Sequence, residues 1–233
     1  MEHSDTHQLL SPAPDCIWIA SFDIGKKNFA FCIEEVNLKK FEDISDIHKN
    51  DRYCKDGSLT VEFSKNVRKV IDNGKIILLT NKDLMEGAST KKHLDPRILI
   101  NLTQHLDEYT PFWDKCSVFL VEQQMGFGKR QNTMALKIGQ HCMSYFLIRF
   151  AGFKYIIEFP AYYKTKIMGA PKKMTKHMRK KWSVNEAIQI LVNRGDTQTL
   201  SDINSRKKKD DVADVITQLQ SFKYLHYIDK QEF

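Results

Sequence analysis

Two apolar runs separated by a glycine-containing turn, CIWIASFDI at residues 16–24 and NFAFCIEE at residues 28–35, predict a β-hairpin near the start of the chain. The turn consists of Gly25, Lys26 and Lys27. Both runs are rich in the β-branched and aromatic residues that pack well on a pleated sheet. We therefore expect the sheet of this protein to begin with two antiparallel strands.

Further strands and helices follow the hairpin. Short apolar runs predict strands, and apolar residues at steps of three and four predict helices. The predicted strands span residues 75–80, 116–123 and 155–159, and the predicted helices span residues 96–109 and 132–150. A capping box at Ser183 and Glu186 is expected to open another helix, which ends near Gly195. The last helix starts at Asp210 or Asp211 and buries an apolar stripe made of Val212, Val215, Ile216, Leu219 and Phe222.

The order of these elements, β-β-β-α-β-α-β-α-α, is typical of an α/β fold in which helices flank a mixed sheet. A chain of 233 residues is long enough for one sizeable domain. We expect a disordered tail at residues 1–15, one domain at residues 16–225 and a C-terminal tail at residues 226–233. Residues 37–74 are polar and are expected to form an irregular insertion with one short strand at residues 59–63.

Composition excludes several classes of protein. No apolar run approaches the roughly 20 residues of a membrane span, and the acidic residues before Cys16 are unlike a signal peptide. The five cysteines form no pair or cluster with zinc spacing. We therefore expect a soluble intracellular protein with free thiols in a reducing compartment and no membrane partner.

Positive charge is concentrated in one part of the chain. The net charge is +7, yet residues 162–209 contain 13 basic and 3 acidic residues and so carry +10. The basic segment within this region, residues 162–182, has eight Lys or Arg residues and no acid. Such a run is often only a solvated surface. Its contiguity favours a polyanion partner such as nucleic acid.

Two carboxylates lie at the ends of predicted strands. Asp23 is on the same side of its strand as Ile19, and Glu122 is on the same side as Leu120. A carboxylate that faces a core costs several kcal/mol unless it is paired or binds a metal. Either residue alone could be a strand-end acid that reaches solvent, but two strands that end in this way favour a shared role.

Three further carboxylates, Asp210, Asp211 and Asp214, lie at the start of the last predicted helix. Acids in a first helical turn also cap the helix and offset its dipole, so these residues have a structural explanation as well. Asp211 and Asp214 are one turn apart and can reach a common point. If they meet the strand-end acids at one edge of the sheet, the oxygens form a site for Mg²⁺ or Mn²⁺. A pair of such ions can promote phosphodiester hydrolysis.

Three segments, SFDIGKKNFAF, FLVEQQ and KKDDVAD, resemble in order and spacing the motifs of the RuvC-like Holliday junction resolvases. The last segment is most similar to the version in poxviruses and related large DNA viruses. The resemblance covers about residues 16–225 and implies a ribonuclease H-like fold. It also implies a catalytic, metal-binding role for Asp23, Glu122, Asp211 and Asp214 and leaves Asp210 as an additional acid.

The resemblance further implies a structure-selective endodeoxyribonuclease that uses two Mg²⁺ ions per site, with Mn²⁺ as a substitute. Such a protein would act as a homodimer and would resolve four-way and other branched DNA junctions by paired phosphodiester hydrolysis. Its role would be DNA recombination, repair or viral genome concatemer processing, at a cytoplasmic replication site if it is viral. The residues expected to bind DNA are Lys26, Lys129, Arg130, Gln131, Lys164, Lys172, Lys173, Arg179, Lys180, Lys181 and Lys208.

Two other functions remain open at this stage. One is another ribonuclease H-like nuclease that cuts RNA–DNA hybrids or flaps with the same carboxylates. The other is a non-catalytic architectural protein that binds DNA and whose acids are helix caps and strand ends. Cleavage assays on a panel of substrates separate the three functions.

Overall fold

The computed structural model describes residues 11–89, 95–124, 126 and 132–233. Its central element is one five-stranded sheet with the strand order β3-β2-β1-β4-β5. The strands are β1 (Cys16–Asp23), β2 (Phe29–Asn37), β3 (Lys75–Lys82), β4 (Cys116–Glu122) and β5 (Tyr155–Phe159). Strands β1, β2 and β3 pair antiparallel, whereas β4 is parallel to both β1 and β5. The sheet is therefore mixed, as predicted.

Helices cover both faces of this sheet. They are α1 (Val61–Asp72), α2 (Pro96–Asp107), α3 (Thr110–Trp113), α4 (Thr133–Phe150), α5 (Tyr162–Ile167), α6 (Lys176–Arg194), α7 (Thr197–Ser205) and α8 (Asp210–Lys223). Two short 3₁₀ helices follow β2, at Leu38–Phe41 and Lys49–Asp51. A π-helical turn at Tyr224–Ile228 continues α8. Within the described ranges, no helix combines the length and the hydropathy needed to cross a bilayer.

The strand residues alternate between two hydrophobic cores. Ile19 of β1 and Leu120 of β4 belong to the core that also contains residues of α1, α6 and α8. Phe22 of β1 and Phe119 of β4 belong to the opposite core, with residues of α2 and α4. Because strand side chains alternate between faces, Asp23 and Glu122 fall on the face that α8 covers.

The insertion at residues 37–74 differs from its prediction. The strand expected at residues 59–63 is absent, and helix α1 begins at Val61 with the Thr60 side chain as its N-cap. The helix buries Phe63, Val67, Val70 and Ile71, whose spacing places them on one face. The insertion is therefore helical at its end, because this apolar stripe packs into the core beneath the sheet.

Helix α6 also begins earlier than predicted. Its N-cap is Thr175, which accepts a hydrogen bond from the Met178 backbone N–H, so Ser183 lies inside the helix. The predicted end is confirmed, because Gly195 adopts a left-handed conformation (φ 67°) at the C-terminus of α6. The capping-box interpretation of Ser183 was wrong, and this side chain has a different partner that is described below.

Residues 1–10 of the expected N-terminal tail lie outside the described residues, and so do three of the residues expected to bind DNA, Lys129, Arg130 and Gln131.

Candidate active site

Three carboxylates converge at the end of the sheet where the parallel strands β1 and β4 terminate. Asp23 and Glu122 are the last residues of these adjacent parallel strands, and their carboxyl groups are hydrogen-bonded to each other. Asp214 approaches from α8, which packs over the same face. The Nζ of Lys164, on α5, lies 2.9 Å from Oε1 of Glu122 and 3.1 Å from Oδ2 of Asp214.

The charges in this cluster do not balance. Three carboxylates lie in this cluster with one ammonium group, which contacts two of them, and the side chains of Lys164 and Glu122 are each only 13% exposed. Burial, together with the nearby charges of Glu122 and Asp214, raises the pKa of Asp23 well above its usual range. Burial alone would also raise the pKa of Glu122, but the Lys164 ammonium and the hydrogen bond from Asp23 lower it. The pKa values of the two hydrogen-bonded strand-end acids therefore shift in opposite directions, upward for Asp23 and downward for Glu122.

Neighbouring polar side chains hold the carboxylates in place. The hydroxyl of Ser183, on α6, donates a 2.6 Å hydrogen bond to Oδ1 of Asp214. The amide of Gln124 donates a 3.0 Å hydrogen bond to Oε2 of Glu122. Sequence reasoning missed the first contact because it placed Ser183 at a helix start.

Helix α8 is fixed to the strands by one buried glutamine. The amide of Gln218 donates a 3.1 Å hydrogen bond to Ser21 Oγ and longer ones to the backbone carbonyls of Phe22 and Leu120. Gln218 lies one turn after Asp214 and is almost fully buried. A polar residue in the apolar face of the last helix was the available sequence signal for this contact.

Asp210 and Asp211 interact mainly with lysines. Asp210 forms an ion pair with Lys180 and lies 3.9 Å from Lys208. Oδ2 of Asp211 is buried and faces the Lys208 ammonium without a well-directed hydrogen bond. Burial raises the pKa of Asp211, and the neighbouring Asp210 raises it further. Asp214 thus joins the strand-end acids directly, whereas Asp211 lies one helical turn away.

The donor set fits a hard divalent cation. In the part of the chain that the structure describes, no three His, Cys, Asp or Glu side chains are already arranged as metal ligands. The Lys164 ammonium instead lies between Glu122 and Asp214, and the carboxyl groups of Asp23 and Glu122 are hydrogen-bonded to each other. The carboxylate oxygens in these contacts are of the type that Mg²⁺ and Mn²⁺ prefer. The excess negative charge and the raised pKa of Asp23 are features that a divalent cation bound by these residues would relieve.

The residues expected to bind DNA fall into three groups. Lys164, Lys180 and Lys208 face the carboxylates described above. Lys129, Arg130 and Gln131 are those outside the described residues. The side chains exposed to solvent are those of Lys26, Lys172, Lys173, Arg179 and Lys181.

Two cavities open beside the carboxylates. One, of about 200 Å³, is lined by Asp214, Ser183, Lys164 and Arg179 among others. The second, of about 530 Å³, is lined by Gln124, Lys164 and Arg179 and by the exposed Tyr162. Solvent-filled space with cationic walls therefore reaches the cluster from the side of the basic segment.

Comparisons with known proteins place this geometry in context. No protein-family model matches the chain. The chain is 36% identical over 239 residues to Uncharacterized protein 170L of Invertebrate iridescent virus 6, which covers 92% of each protein. It is 34% identical over 212 residues to Uncharacterized protein 97L of Invertebrate iridescent virus 3, which covers 88% of this chain and 98% of that protein.

Solved structures with the same fold include a viral resolvase and a bacterial RuvC protein. The Fowlpox virus resolvase, in complex with Holliday junction DNA, superposes with a TM-score of 0.52 and 18% identity, covering 89% of this chain and 97% of its own. RuvC from Thermus thermophilus superposes with a TM-score of 0.50 and 11% identity, covering 91% and 98%. The fold is therefore the ribonuclease H-like fold of RuvC-like resolvases, as the sequence motifs implied.

Proposed function

We propose that this chain, which belongs to the same family as the iridescent virus proteins 170L and 97L and has the RuvC-like resolvase fold, is a metal-dependent endonuclease that resolves branched DNA. Its preferred substrate in this proposal is the four-way DNA junction. The Fowlpox virus protein with the same fold was solved with Holliday junction DNA, which supports this substrate.

One observation carries the proposal. Asp23, Glu122 and Asp214 come from two strands and a helix that are distant in sequence. Glu122 and Asp214 nevertheless contact the same ammonium group, and Asp23 is hydrogen-bonded to Glu122, beside cavities with cationic walls. An architectural DNA-binding protein has no use for an excess of partly buried carboxylates at the surface where the phosphates bind. Such a cluster costs free energy of folding, and it is explained by a bound divalent cation.

In this proposal Mg²⁺, or Mn²⁺ in its place, is held by Asp23, Glu122 and Asp214, with Asp211 as the fourth ligand residue. Two bound ions supply electrostatic stabilisation of the charge that develops during phosphodiester hydrolysis. Ser183 orients Asp214, and Gln124 orients Glu122. Gln218 fixes the position of α8 on the sheet. Lys164 neutralises the carboxylates when no divalent cation is bound.

The DNA backbone lies along the basic segment in this proposal. Exposed Arg179 lines both cavities beside the carboxylates and is well placed for a phosphate contact. Lys129, Arg130 and Gln131 follow β4 by a few residues and remain proposed DNA contacts. Paired cleavage of two strands needs two active sites, and the described residues of one chain form one cluster, so the proposal includes a homodimer.

The test is cleavage of a labelled substrate panel in Mg²⁺: a four-way junction, a linear duplex, a flap and an RNA–DNA hybrid. Paired symmetrical nicks confined to the four-way junction support the proposal. Preferential cutting of the hybrid or the flap would support the proposed active site but would show that the substrate is not the four-way junction. Binding without cleavage in either Mg²⁺ or Mn²⁺ would contradict the proposal and favour an architectural DNA-binding function.

A further inference from the structure

A separate cavity of about 570 Å³ lies between the insertion and the basic segment. The insertion contributes Tyr53 and Gly57 from the loop before α1. The basic segment contributes residues 165–179, between α5 and the first turn of α6. The volume lies within the range of small-ligand sites, about 300–1,000 Å³.

The lining of this cavity has two parts of different chemistry. Its apolar wall consists of Tyr53, Ala170, Pro171 and Met174. Its cationic rim consists of Lys166, Lys172, Lys173 and Arg179. No carboxylate is among the described side chains that line it. The cavity therefore suits an anion that also carries a flat apolar group.

The wall is held in place by specific contacts. The Tyr53 ring packs edge-on against the buried Phe63, with 5.4 Å between the ring centroids. Its hydroxyl donates a 3.2 Å hydrogen bond to the backbone carbonyl of Lys166, which joins the insertion to the basic segment. Gly57 has a φ of 89°, and a Cβ there would overlap the Lys172 side chain. The insertion and the basic segment therefore meet closely enough to keep the cavity in shape.

This cavity adjoins the smaller cavity beside the carboxylates. Thr165 and Arg179 line it, and the same two residues line the cavity that contains Asp214 and Lys164. A DNA strand with a phosphate at the carboxylates could therefore continue along Arg179 into the larger cavity. A duplex presents phosphates but no free base face, whereas an unstacked nucleotide presents both.

We propose that this cavity binds one unstacked nucleotide of a DNA strand, with its phosphates on the Lys172 and Lys173 side of the rim and its base against Tyr53 and Met174. This inference rests on the proposed function, because that function identifies the ligand as DNA. Its test needs no cleavage, so the two proposals can fail separately.

The test is fluorescence anisotropy with a labelled short oligothymidylate and with an abasic oligomer of the same length and charge, both in EDTA. Wild-type protein should bind the base-bearing oligomer about tenfold more tightly than the abasic one, because base stacking on an aromatic side chain contributes to affinity. The Lys172→Ala/Lys173→Ala variant should weaken binding of both oligomers. Lys65→Ala/Lys69→Ala, which removes two exposed lysines of α1 outside the cavity, is the matched control and should change neither.

Two variants test the base contact. Tyr53→Ala should remove the preference for the base-bearing oligomer and leave abasic binding unchanged. Met174→Ala should reduce the same preference while leaving the packing of Tyr53 on Phe63 intact. It therefore tests the base contact even if thermal unfolding shows that Tyr53→Ala is unstable. Equal affinity of wild type for both oligomers would overturn the base contact. Binding that is unchanged in the double lysine variant would overturn the site itself.

Discussion

The hydroxyl of Ser183 on α6 donates a 2.6 Å hydrogen bond to Oδ1 of Asp214 on α8. The second oxygen of the same carboxylate lies 3.1 Å from the Lys164 ammonium. Both oxygens of Asp214 therefore have a partner, a neutral hydroxyl on one and an ammonium group on the other.

Ser183→Ala should lower the cleavage rate by about tenfold, because a hydrogen bond to a charged group contributes about 1.5–3 kcal/mol and Asp214 would lose its orientation. Single-turnover cleavage of a four-way junction measures the change. Ser183→Thr keeps the hydroxyl and should retain most of the activity, and Ser201→Ala on the exposed side of α7 is the control. If Ser183→Ala and Ser201→Ala cleave at the same rate, Ser183 does not position Asp214.

Lys164→Met should bind Mn²⁺ about tenfold more tightly than wild type. The ammonium contacts oxygens of Glu122 and Asp214 that a divalent cation would need, so removing it removes a competitor. Isothermal titration calorimetry without DNA gives the affinity, and Lys166→Met on the same helix serves as the control. Equal or weaker Mn²⁺ binding by Lys164→Met would show that the ammonium does not compete with the metal.

Glu34→Gln should lower the free energy of unfolding by about 3–5 kcal/mol, because it leaves two buried cations without their anion. Glu34 accepts hydrogen bonds from Arg194 and Lys223, and the side chains of all three residues are at most 4% exposed. Burial would raise the pKa of Glu34, but these two cations lower it below its usual value. Urea unfolding checks the prediction, with the exposed Glu42→Gln as the control. A loss no greater than that of the control would contradict it.

The same cluster predicts how stability depends on pH. It contains two cations and one anion, and burial together with the Arg194 charge lowers the pKa of Lys223 from 10.5 to about 7. Above pH 7 the unfolded chain therefore binds a proton that the folded chain has released, so the free energy of unfolding should rise with pH between about 7 and 10.5. Lys223→Met should flatten this rise relative to wild type in urea unfolding at several pH values. An identical slope in both proteins would mean that Lys223 stays charged when folded.

Local sequence patterns predicted most of the sheet. The runs around Phe22 and Phe119 alternate between faces and became β1 and β4, and the placement of Asp23 and Glu122 on one face followed from that alternation. Helix α1 was missed although Phe63, Val67, Val70 and Ile71 have helical spacing, because the many charged residues around them suggested an irregular segment.

The contacts around the carboxylates could not be derived from sequence, since they join distant segments. Lys164 was predicted to contact DNA, and only the packing of α5 against α8 brings its ammonium to Glu122 and Asp214. Ser183 has a capping-box partner at the right spacing, yet Thr175 offers an earlier N-cap and the helix extends back to it. Tertiary packing thus decided the contacts of Lys164, whereas a competing local N-cap decided the start of α6.

The most direct test of the proposed metal site is cleavage and binding of a labelled four-way junction by wild type and Asp23→Asn, side by side, in Mg²⁺. The substitution keeps the size of the side chain and removes the charge that a metal needs. We expect paired nicks by wild type, no detectable nicks by Asp23→Asn, and the same junction affinity for both. Cleavage by Asp23→Asn at a rate close to that of wild type would contradict the proposed metal site.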